Sequence, residues 1–177
     1  MTTMSKRIYF DTETTGLHPG VGEGDEIITL SIVDESGDVL HDAIYKPRWN
    51  DKWPEAEAIH GISPAAVEDL PTIEGDLPKI AEIFDGADEV CGYNVSFDLR
   101  FLTALGITPR DDAEIIDTMR QYAPIHGEWS EHYDDWKWCK LTVAADEIGH
   151  EWTGAAHGSL ADTLATKAVQ EWIEAQV

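Results

Sequence analysis

The run Ile8, Tyr9, Phe10 is wholly apolar and gives way at once to Asp11 and Glu13. A short apolar run of aromatic and β-branched residues predicts a buried strand. Residues 27–33, IITLSIV, and 39–45, VLHDAIY, read the same way, and the intervening DESGD predicts a hairpin turn. Downstream the period changes. In GISPAAVEDL, Ser63 stands as an N-cap and Pro64 as the first helical residue, and LPKIAEIF supplies a second amphipathic helix. Residues 89–93 return to strand. NVSFDLRFLTALG then sets Phe97, Phe101 and Leu105 four apart and closes on Gly106, as a glycine-capped helix does. EIIDT is a further short strand and CKLTVAADEIG a helix. The final helix, about residues 158–175, carries a stripe of Ala161, Ala165, Ala168 and Trp172. Residues 124–136, rich in aromatic and acidic side chains, form the longest irregular segment and read as a mobile insertion.

Strands alternating with helices after an initial hairpin predict an α/β fold with a mixed sheet covered on both faces. The 177 residues suit one compact domain, residues 1–177. No apolar stretch approaches the roughly 20 residues that span a bilayer. The N-terminus passes from two basic residues straight into a strand without an apolar signal core, so the expectation is a cytoplasmic protein without membrane contact. Cys91 and Cys139, far apart in unlike contexts, suggest neither a disulfide framework nor a zinc site. Charge changes the picture more. Thirty-five acidic against twelve basic residues give −23, a field that repels long polyanions. Solubility or adaptation to high salt would account for that charge equally well.

Asp11 and Glu13 are two apart, so in an extended strand they share a face. The same spacing recurs at Glu55/Glu57, Glu74/Asp76 and Asp112/Glu114, as an acid-rich chain produces by chance; only Asp11 and Glu13 follow directly on an apolar strand. Asp98 falls in the first turn of a predicted helix, where the helix dipole favours a carboxylate. Asp162 lies early in the last helix, and His157 precedes that helix by one or two residues.

The stretches FDTETTGL, HGIS, NVSFDLRFL, IIDT and HGSLADTLAT, in this order, resemble the DEDDh 3′-to-5′ exonuclease superfamily, which includes the proofreading epsilon subunit of DNA polymerase III and ribonuclease T. The resemblance runs from about residue 8 to residue 172. It implies a ribonuclease H-like fold with a mixed five-stranded sheet flanked by helices. It implies further that Asp11, Glu13, Asp98 and Asp162 bind metal and that His157 is the general base. Carboxylates brought together would raise one another's pKa values unless a cation neutralised them. An all-oxygen set suits Mg2+ or Mn2+, two ions per site, clamping the attacking and leaving oxygens at phosphorus.

By the same resemblance Thr14, Thr15, Gly16 and Leu17 cradle the terminal nucleotide, with Asn94 and Phe97 as weaker contacts; a simple strand exit is the plainer account of the first four. His60 suits helix entry as well as ligand contact. Two stretches, YKPRWNDKW and DWKWCK, interleave cations with rings, a pattern that serves single-stranded nucleic acid but also an ordinary covered core. The expected activity is metal-dependent 3′-to-5′ exonuclease action on single-stranded or frayed ends, DNA favoured, releasing nucleoside 5′-monophosphates. Expected partners are DNA or RNA 3′ ends, short oligonucleotides, and a polymerase or other basic protein. The alternative is a non-catalytic end-binding or polymerase-accessory module.

Overall fold

A computed structural model describes residues 6–153 and 158–176. Five strands form one sheet in the order β3-β2-β1-β4-β5. They are β1 (Arg7–Thr14), β2 (Ile27–Asp34), β3 (Val39–Ile44), β4 (Glu89–Gly92) and β5 (Glu114–Asp117). β2 pairs antiparallel with both β1 and β3, whereas β4 pairs parallel with β1 and β5 parallel with β4, so the sheet is mixed as expected.

The helices are α1 (Pro54–His60), α2 (Pro64–Val67), α3 (Leu77–Asp85), α4 (Val95–Ala104), α5 (Thr118–His126), α6 (Leu141–Glu147) and α7 (Ser159–Glu174). Alternation along β1 assigns its two faces. Ile8 and Phe10 pack with Ile80 and Phe84 of α3 and with Phe101 and Leu102 of α4. Tyr9 points the other way, to a cluster with Val33, Cys91 and Ile116 that Leu160 and Leu164 of α7 cover. Tyr122, Ala144 and Val169 join α5, α6 and α7 into one layer. None of the helices of the described residues is long and apolar enough to cross a membrane.

Two sequence expectations are corrected, and a third reading, left open between two alternatives, is narrowed. β1 does not stop at Phe10 but continues to Thr14, because β2 still pairs with it there, Asp11 opposite Ser31 and Glu13 opposite Thr29. Residues 124–136 are not one irregular segment. α5 runs on through Pro124 to His126 and is closed by Gly127 in the left-handed conformation at φ 79°; a small antiparallel ribbon of β6 (Trp129–Ser130) and β7 (Asp135–Trp136) follows. Finally, YKPRWNDKW covers the core. Tyr45 and Trp53 are buried, the Trp53 indole donates to the Ile62 carbonyl, and Trp49 donates from its ring to the Gly24 carbonyl. Arg48 is paired with Glu74 and lies over the half-buried Trp49 ring, and Lys46 donates to the Glu68 carbonyl.

Candidate active site

The site arises where β1 outruns its parallel neighbour. Pairing with β4 ends at Tyr9, opposite Cys91, while the antiparallel pairing with β2 goes on to Thr14. On the open side, β4 turns off through Asn94, held in the left-handed region at φ 63°, and becomes α4. Asp11 and Glu13 therefore line a gap at the carboxyl edge of the parallel strands. Being odd-numbered like Tyr9, they look toward α7.

α7 brings Asp162 to them. Each of Asp11, Glu13 and Asp162 presents a carboxylate oxygen within 4.8 Å of the other two. The helix start is fixed from below: Ser159 and Ser31, both buried, share a hydrogen bond of 2.7 Å, and Ser31 is the cross-strand partner of Asp11. Ser31 also donates to Asp42, and Thr163 donates to the Ser159 carbonyl. A chain of hydroxyls thus sets Asp162, three residues beyond Ser159, opposite the strand.

Asp98 arrives from the opposite layer. It sits in the first turn of α4 and is 3% exposed. Its Oδ1 accepts the Thr12 amide at 3.1 Å and the Thr12 hydroxyl at 2.5 Å. Asp98 lies outside the set of mutually close carboxylate oxygens, yet its charge acts on both Asp11 and Glu13. Loss of the Thr12 hydroxyl should be costly, since a buried carboxylate would lose its shortest hydrogen bond. Thr12→Val is expected to lose about 1–3 kcal/mol in chemical denaturation, and Thr12→Ser to keep most of it.

These groups disfavour ionisation together. Burial first, then the charges of Asp98, Glu13 and Asp162, hold Asp11 well above the usual carboxylate range. Burial, then Asp162 and Asp98, push Glu13 up to about 8. Burial raises Asp98 to about 7 against the opposing pull of the Thr12 donors. Oδ2 of Asp11 is buried without a hydrogen-bond partner among the described residues. A carboxylate that has a buried oxygen without a donor and stands beside two further carboxylates fits a hard divalent cation, whose opposed ligands stand about 4 Å apart. The residues present therefore suit the metal that the donor chemistry implies.

Beside Glu13 a cleft opens, lined by Thr14, Thr15, Gly16, Leu17, His60 and Phe97 among others. Leu17 is 63% exposed. The threonine hydroxyls are engaged within the loop, Thr14 with the Gly16 carbonyl at 2.7 Å and Thr15 with Asp25 at 3.2 Å. A Cβ on Gly16 would come within 2.5 Å of the Asp25 carboxylate, so glycine here admits Asp25, which also accepts the His18 amide. His60 accepts the Ile62 amide at Nδ1, which leaves its proton on Nε2, 3.2 Å from the Thr14 carbonyl. It ties the end of α1 to the end of β1. Asn94 does not line the cleft; its amide donates to Asp117. His157 lies outside the described residues. Sequence reasoning passed over Thr12 and Ser31, whose hydroxyls meet partners 86 and 128 residues away.

Residues 8–169 match a family model, RNase_T, described as exonuclease. An exonuclease of Escherichia phage 186 is 32% identical over 172 residues, 92% of this chain and 85% of the phage protein. The DNA polymerase III epsilon subunit of Salmonella typhimurium is 31% identical over 119 residues, which cover 62% of this chain but only 47% of that subunit. Of solved structures, exonuclease X in complex with 5′-overhanging duplex DNA gives a TM-score of 0.67 at 25% identity, over 98% of this chain and 92% of the other. The nuclease domain of 3′hExo, a DEDDh family member bound to rAMP, gives 0.65 at 16%, over 98% and 94%.

Proposed function

Since this chain belongs to the RNase_T exonuclease family, we propose that it is a DEDDh-type enzyme that removes nucleotides one at a time from the 3′ end of single-stranded or frayed nucleic acid, DNA in preference to RNA, releasing nucleoside 5′-monophosphates. The observation that carries this reading is the meeting of the Asp11, Glu13 and Asp162 carboxylates, in which Oδ2 of Asp11 is buried without a donor among the described residues.

Asp11, Glu13 and Asp162 would hold one Mg2+ or Mn2+ ion, and Asp98 with Asp11 a second. Ions bound there supply charge neutralisation at the phosphoryl oxygens and an acidified water. The remaining steps fall to the chain. Thr12 fixes the Asp98 carboxylate, so the site is formed before substrate arrives. The cleft from Thr14 to Leu17, with His60 and Phe97, receives the terminal nucleotide. Leu17 and Phe97 give it apolar contact, and the backbone that Asp25 and His60 hold in place orients it. His157 takes the proton from the attacking water. The departing strand ends in a new 3′ hydroxyl.

The acidic surface supports short or frayed ends over long duplexes, for few cations exist to neutralise a phosphate backbone. DNA is favoured because the structural relative at 25% identity holds DNA and the epsilon relative belongs to a DNA polymerase. A polymerase or another basic protein is the fitting partner for longer substrates. A time course on 5′-labelled and 3′-labelled strands, DNA and RNA, with Mg2+, Mn2+ or chelator tests the whole reading. The expected result is immediate mononucleotide release from the 3′ label, a descending ladder from the 5′ label, faster loss of DNA, and silence in chelator. Cleavage that begins at the 5′ end, or internally, would overturn it.

A further inference from the structure

The connection between α5 and α6 keeps its rings out of the core. Tyr133 is 77% exposed, Trp138 57%, Trp129 45% and Trp136 37%. Trp129 and Trp136 meet edge to face across the ribbon with centroids 5.2 Å apart, which orders the surface in advance. So many adjoining exposed rings mark a contact surface rather than a packing one.

Its place in the fold limits what it can touch. The Arg120 guanidinium lies 5.5 Å above the Trp138 ring. Arg120 is in the first turn of α5, and the cap of that helix, Asp117, ends β5 and accepts the Asn94 amide where α4, bearing Asp98, begins. Tyr93, just past β4, donates to the Cys139 carbonyl. The rings therefore share the carboxyl edge of the sheet with the acidic site. Charge is divided along the ribbon. Arg120 lies over Trp138, and Lys137 and Lys140 flank Trp138 in the sequence, with Glu128 and Asp117 paired to Lys137 and Arg120, while Glu131, Asp134 and Asp135 lie toward the tip with no lysine or arginine among them. A cationic partner would suit the tip; the base fits an anionic chain that carries flat rings.

We propose that Trp136 and Trp138, with Arg120 beside them, form a stacking platform for unpaired bases on the 5′ side of the nucleotide being removed. The platform rests on the nuclease reading above and adds to it a substrate class, single strands long enough to reach the ribbon. Stacking carries the contact because Lys137 is shared with Glu128 and Arg120 with Asp117. With at most three cations engaged, affinity should fall with salt at a log–log slope no steeper than about −2.

The test compares Trp136→Ala/Trp138→Ala with the parent protein on a dinucleotide and on a single strand of about 12 nucleotides. KM for the longer strand should rise at least tenfold with kcat unchanged, the dinucleotide should be cleaved as before, and Trp136→Phe/Trp138→Phe should restore most of the loss. Equal losses on both substrates, or no change on the longer one, overturn the platform. Trp138→Ala alone decides the matter if circular dichroism shows the double variant misfolded. If the parent protein cleaves neither substrate, the nuclease reading fails by itself. Anisotropy of the labelled strand with Ca2+ present then tests the platform separately: weaker binding by the alanine variants supports it, and equal binding overturns it. Capture by the ribbon of a lysine-rich peptide in place of the strand also overturns it.

Discussion

Asp11→Asn is expected to abolish nuclease activity and, in chelator, to raise the melting temperature. The two effects have one cause. In the metal-free protein Asp11 is a half-buried carboxylate with a buried, donor-less oxygen, pressed by Asp98, Glu13 and Asp162. Asparagine removes a group whose ionisation the fold disfavours but the unfolded chain favours, and several degrees of stabilisation should follow near neutral pH. With Mg2+ the order reverses. The parent protein gains stability by mass action on its native site, whereas the variant lacks one of the three carboxylates whose oxygens lie within 4.8 Å of one another. Loss of the charge stabilisation that bound ions give the reacting phosphate should lower kcat/KM by about a thousandfold or more. Paired melts in chelator and in Mg2+ check the stability half, and single-strand hydrolysis the other. A variant that melts lower than its parent in chelator, or keeps the Mg2+ gain, would refute the arrangement.

Alkali should weaken the metal-free protein, and Mg2+ should remove that weakness. Unfolded carboxylates titrate near 4, whereas in the fold Asp98 is raised to about 7 and Glu13 to about 8, with Asp11 also raised. Between those limits the native state binds more protons than the unfolded chain, so stability falls as pH rises. The contribution is complete below about pH 4 and is spent by about pH 8. At the acid end, Glu74 and Asp88, both held below the usual range by arginine and hydrogen-bond partners, lose their contribution, so the optimum in chelator should fall near pH 5. Bound metal requires the ionised forms, so the gain on adding Mg2+ should grow from pH 5 to pH 8. High salt screens the general repulsion of a −23 chain but reaches buried groups less. A melting temperature that stays flat from pH 5 to 8 in chelator and high salt, or a slope unaltered in Glu13→Gln, would exclude these groups as its source.

Much of the site was legible in the sequence because its signals are local. Ser63 caps its helix and Gly106 takes the left-handed conformation after α4. Asp98 and Asp162 each fall in a first helical turn, and Asp11 and Glu13 share a face through simple alternation. What failed depended on partners far away. The extension of β1 to Thr14 follows from Thr29 and Ser31 on β2, which apolar periodicity does not weigh. α1 escaped notice although Pro54 stands at its start, because no side chain caps it and none of its residues is buried. Pro124 reads as a breaker, yet in the last turn of α5 it leaves the helix intact. Trp49 and Trp53 look like Trp136 and Trp138 in the sequence, and only tertiary burial separates the two pairs.

Asp11 and Glu13 face one helical layer and Thr12, between them, grips the other. Three consecutive backbone units thus act as a rivet through the sheet, clamping both coverings at the spot where anionic repulsion is greatest. Neither covering can drift without dragging the reactive oxygens out of alignment, so the precision of this centre is bound to the integrity of the whole sandwich rather than to any one loop.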